Sequence, residues 1–73
     1  MVEDPKNRVA VTIFGQRYVL RGASSPDRIQ EAAEFVDRRM REILGRHPRI
    51  GSARAAVLVA VNLALRLLED AGE

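Results

Sequence analysis

The chain holds one histidine, His47, within Gly45-Arg46-His47-Pro48-Arg49-Ile50-Gly51, and it holds no cysteine. An imidazole near a hydroxyl is the usual start of a nucleophilic site, and Ser52 follows closely. Ser52, however, stands directly ahead of an apolar helical run, where its hydroxyl is better used as a cap. His47 and two methionines are the only soft ligands in the chain, so no metal site is expected. No glycine-rich loop cradles phosphate: Gly15 and Gly22 punctuate a hairpin, while Gly45 and Gly51 bracket a turn. What the residues around His47 offer is charge. Arg46, His47 and Arg49 form a basic tip, and Arg17, Arg21 and Arg54 add to it, which suits the steering of an acidic partner. These residue types point away from catalysis and bound cofactors, and toward recognition.

Composition bounds the rest. The chain has 73 residues, enough for one domain with a marginal core, for which oligomerisation is a common remedy. Disulfides cannot reinforce it, and the lack of cysteine is compatible with a cytoplasmic home. Twelve basic residues against ten acidic give a formal charge of +2. Eleven of the twelve bases are Arg, which suggests a GC-rich genome more than a function. The excess is too small to mark a nucleic-acid binder by itself. The N-terminus lacks the basic stretch and apolar core of a signal peptide.

Residues 1–7 are polar, carry Pro5 and read as a disordered leader. A first strand is expected over Arg8–Phe14, with Val9, Val11 and Ile13 on one face. Gly15-Gln16 suits a two-residue type II′ turn, and a second strand follows over Arg17–Arg21. Such a hairpin must pack on a helix to be stable. Ser25-Pro26-Asp27 starts that helix, with the cap at Ser25 or, in another frame, at Ser24. It runs to about Leu44 with an apolar stripe of Ile29, Ala32, Ala33, Val36, Met40, Ile43 and Leu44. Glu34–Arg38, Asp37–Arg41 and Arg38–Glu42 are spaced for ion pairs on its wet side. Phe35 lies off the stripe, either plainly exposed or touching a second chain. Gly45 is suited to the C′ position, Pro48 stops the helix from resuming, and the short connector implies an antiparallel return.

The second helix, capped by Ser52 and reaching about Asp70, carries more apolar residues than a small domain can cover. Between Ala53 and Leu68 only Arg54, Asn62 and Arg66 are polar. The run is too short for the ~20 residues of a membrane span and is broken by those three. A helix apolar nearly all round is buried on most sides. A second copy of the chain is the expected cover. The expected dimer contacts are Ala56, Val57, Ala60, Val61, Leu63, Ala64, Leu67 and Leu68, the small residues among them allowing close approach. Asn62 either sets register at that interface or faces solvent beside Arg66.

With the elements placed, three stretches resemble the ZapA family of bacterial cell-division proteins. They are Val9-x-Val-x-Ile-Phe-Gly-x-x-Tyr18, Ala33-Glu-Phe-Val36-Asp37-Arg-Arg-Met40-Arg-Glu42-Ile43, and Val57-Leu58-Val-Ala60-Val61-Asn62-Leu63-Ala64-Leu-Arg66-Leu67. The resemblance covers about residues 9–70. It implies an α+β head domain of order ββαα over 8–70, with the second helix at a dimer interface, and a short tail at 71–73. It also implies a non-enzymatic protein that binds filaments of the tubulin-like GTPase FtsZ, bundles them and stabilises the division ring at mid-cell. In that family a C-terminal coiled coil joins dimers into tetramers. This chain stops where that coil should lengthen, so it is expected to be either a truncated head or a short member. Arg66 stands where the family often has an acidic residue.

The rival reading is a ribbon-helix-helix dimer, which reads DNA with paired strands. Arg8, Ala10 and Thr12 could project from such a ribbon. The hairpin supplies one strand too many for it, so DNA is not the expected partner.

Overall fold

A computed structural model describes residues 8–22 and 24–71; the disordered leader expected over residues 1–7 and the last two residues of the expected tail lie outside them. The order is β1 (Arg8–Ile13), β2 (Gln16–Arg21), α1 (Pro26–Arg46) and α2 (Ser52–Asp70), the ββαα arrangement anticipated above. The chain divides into two compact units between Arg38 and Arg39.

In the first unit β1 and β2 pair antiparallel, Arg8 opposite Arg21 through Ile13 opposite Gln16. Alternation sends Val9, Val11 and Ile13 to one face, as read from sequence. Val11 is buried with Ile29 and Ala33 of α1, and Val9, Ile13 and Leu20 pack against that cluster. This is the apolar contact a lone hairpin lacks.

The turn differs from expectation. The loop is Phe14-Gly15 rather than Gly15-Gln16, and Gln16 joins β2. Both loop residues have positive φ, 50° at Phe14 and 79° at Gly15, which is type I′ rather than II′. A bulky residue at positive φ is uncommon. Here the Phe14 N–H donates to Asp37 Oδ1 of α1 at 2.6 Å, so the helix holds the turn from outside. Helix α1 begins in the Ser25 frame: Ser25 Oγ accepts the Arg28 N–H at 3.3 Å and the Ser25 carbonyl accepts the Ile29 N–H at 3.1 Å. Arg38 lies over the half-buried Phe35 ring, 5.8 Å from its centre, and Arg39 pairs with Glu42 at 3.3 Å.

The second unit holds the end of α1, the connector and α2. Helix α1 continues to Arg46, past the expected stop at Leu44, so Gly45 is helical rather than a C′ residue. The His47 N–H donates to the Ile43 carbonyl at 2.9 Å, closing the last turn. The stop comes from Pro48, which disfavours the helical conformation at the residue before it. The start of α2 also differs. Gly51, at φ 84°, is the N-cap; Ser52 is the first helical residue and no side chain caps the helix. A left-handed φ at the cap requires glycine, which moves the cap one residue ahead of the serine. Met40, Ala55 and Val59 are buried in this unit.

Replacing Asp37 by Ala should lower unfolding free energy by about 1–2 kcal/mol, because it strips a charged acceptor from the Phe14 N–H. Asp37→Asn keeps an acceptor oxygen and should retain most of that stability. Urea denaturation of the two variants checks the difference.

Candidate interaction surface

Helix α2 exposes most of what it carries. Only Ala55 and Val59 of its 19 residues are buried. Val57, Val61, Leu67 and Leu68 are 60, 51, 71 and 57% exposed, and Ala56, Ala60 and Ala64 are exposed with them. Leu63 is half-buried, on the side of the helix that also carries Val59. Asn62 is exposed, as are Arg54 and Arg66.

Two further residues belong to the uncovered apolar surface. Leu58 and Leu65, seven positions apart and so on one side of α2, are 40 and 51% exposed. Helical-wheel sorting sets them among polar residues and leaves them out of the expected contacts. The signal that finds them is spacing: Leu58, Val61, Leu65 and Leu68 recur at steps of three, four and three, the seam of a heptad pattern. In the first unit an open groove of about 190 Å³, lined by Ile13, Leu20, Ile29 and Val36 among others, is a smaller apolar surface.

The basic residues fall into two groups, one in each unit. Arg46, His47 and Arg49 lie at the end of α1 and in the connector, and Arg54 in the first turn of α2; all are exposed. Arg17 and Arg21 lie on the outer face of the hairpin, opposite the one that packs on α1, and are also exposed. Pairing sets Arg8 directly across from Arg21 on that face. Among the described residues there is no group of His, Cys, Asp or Glu that could hold a metal ion. No helix among them is long and apolar enough to cross a membrane.

Residues 9–73 match the family model described as Cell division protein ZapA. The chain belongs to the ZapA family. It is 44% identical to the cell division protein ZapA of Geobacillus thermodenitrificans over 73 aligned positions, covering 96% of this chain and 80% of that protein. The ZapA of Halalkalibacterium halodurans is 40% identical, with 89% of this chain and 74% of the relative covered. A solved structure, a ZapA mutant dimer from Geobacillus stearothermophilus, superposes with a TM-score of 0.77 at 43% identity, covering 94% of this chain and 80% of that one. The family is one of cell-division proteins, which sets aside the ribbon-helix-helix reading. In keeping with this, the ribbon here is a hairpin closed within a single chain rather than one strand waiting for a second copy.

The Arg8–Arg21 pair sets like charges across the ladder, an arrangement that is destabilising. Arg8→Glu should therefore raise the midpoint of thermal unfolding, with the gain shrinking as salt is added. Melting curves at low and high ionic strength check both effects.

Proposed function

We propose that this chain is a non-enzymatic cell-division scaffold that pairs with a second copy through α2, binds FtsZ filaments, and promotes their association at the division ring. It acts in the cytoplasm at mid-cell and takes no cofactor. The observation that carries the self-association is the exposed apolar side of α2, Val57, Leu58, Val61, Leu65 and Leu68. Fully burying one Leu or Val contributes about 1.5–3 kcal/mol, and in a two-fold pair every residue counts twice. That the solved Geobacillus stearothermophilus relative is named a mutant dimer supports self-association. The FtsZ partner rests on membership of the family, and the basic tip of Arg46, Arg49 and Arg54 supplies the charge for an acidic filament, with Arg17 and Arg21 as the second basic group.

Charge placed on the seam should break the pair. Val61→Glu with Leu65→Glu is expected to raise the dimer dissociation constant on the order of a hundredfold, the loss typical of central contact residues. Sedimentation equilibrium reads this directly. A wild-type chain that is monomeric at micromolar concentration overturns the α2 interface.

Arg46→Glu with Arg49→Glu should lower the fraction of the protein that pellets with FtsZ polymers while leaving the dimer intact. Unchanged pelleting removes this tip as the filament contact.

A further inference from the structure

The register of the hairpin fixes where its backbone points. A two-residue loop makes Ile13 and Gln16 a hydrogen-bonded pair. Pairs alternate along an antiparallel ladder, so Thr12–Arg17, Ala10–Val19 and Arg8–Arg21 are the non-hydrogen-bonded ones. Residues in such pairs direct their N–H and C=O groups away from the partner strand. Arg17, Val19 and Arg21 thus offer backbone donors and acceptors at the outer edge of β2. Their side chains stand exposed on the outer face of the hairpin. Among the described residues the sheet has no third strand.

Charged side chains are a common guard on such an edge. This guard is selective. A second copy of β2 laid antiparallel along it, centred on Val19, sets Arg17 against Arg21 at both ends and is repelled. An extended segment with carboxylates at both ends and an apolar residue between them, at alternate positions, meets opposite charge twice and Val19 in the middle. Val19 is 54% exposed and available for that contact. Duplex DNA could supply phosphates to the arginines, but it has nothing to pair with a row of backbone N–H and C=O groups.

We propose that the β2 edge is a docking strand for an extended acidic segment of a partner protein, which adds to the sheet as a third strand. The segment carries an acidic, an apolar and an acidic residue at alternate positions, opposite Arg21, Val19 and Arg17. This site lies on the hairpin and does not depend on α2 pairing or on FtsZ being the partner.

The test is fluorescence anisotropy with a short fluorescein-labelled peptide in which Asp, Val and Asp alternate with Thr. The peptide should bind the full chain. Arg17→Glu and Arg21→Glu should each weaken binding by about tenfold, as loss of a close charge pair does. A peptide with Lys in place of Asp should bind the doubly reversed variant better than it binds the unaltered chain. Methylating the peptide nitrogens that face the edge should abolish binding without changing the peptide's charge. The proposal is overturned by no binding at millimolar peptide, by equal binding of a scrambled peptide, by full affinity of the N-methylated peptide, or by tighter binding of a short DNA duplex. The peptide comparisons need no variant to fold, and because FtsZ is absent from the assay their outcome is independent of the pelleting result.

Discussion

A two-stranded ribbon in water has one face at most to bury, so β1 and β2 hold their shape only while Val11 and its neighbours rest on Ile29 and Ala33 of α1. That contact fixes which face of the hairpin turns outward, and so places Arg8, Arg17 and Arg21 in solvent. It also brings the loop end of the ribbon to the middle of α1, where Asp37 receives the Phe14 N–H. A like-charge pair, a left-handed Phe and a backbone edge flanked by arginines all follow from that one packing decision.

The second unit is governed by the opposite circumstance: more apolar surface than it can cover. Ala55 and Val59 are small or medium side chains, and they are what α2 buries. The larger side chains, Leu58, Leu65, Leu67 and Leu68, stay exposed. A fold designed to stand alone would turn the bulky residues inward, whereas here they share the exposed surface with Ala56, Ala60 and Ala64. The arrangement is economical only if the exposed side has a cover of its own. No disulfide is available to compensate, since the chain has no cysteine, and among the described residues no group of His, Cys, Asp or Glu could hold a metal ion.

Much of this was legible in the residues because it rests on local period. The alternation of Val9, Val11 and Ile13 and the Ser-Pro-Asp start of α1 are properties of a few neighbouring positions, and they specify strand face and helix start directly. The turn was not legible. Gly15 fits either loop register, and the choice is made by Asp37, which is 23 residues away in sequence. The ends of the connector misled for a related reason. Gly45 and Ser52 are good terminators in isolation, but Pro48 and the φ of Gly51 act first. Sequence also carries no record of which compact unit each basic residue belongs to: Arg17 and Arg21 fall in the first, Arg46, Arg49 and Arg54 in the second. Leu58 and Leu65 were missed through the choice of template: a wheel of single residues hides a row that steps by three and four.

That row has a consequence for shape. Seven residues fall slightly short of two full turns of an α-helix, so a line through Leu58, Val61, Leu65 and Leu68 drifts slowly around α2 rather than running parallel to its axis. A partner helix that keeps to the line must wind with it. The preferred crossing is shallow, about 20°, and the winding is left-handed. The handedness of any helix pair packed along this row is thereby written into the spacing of four side chains.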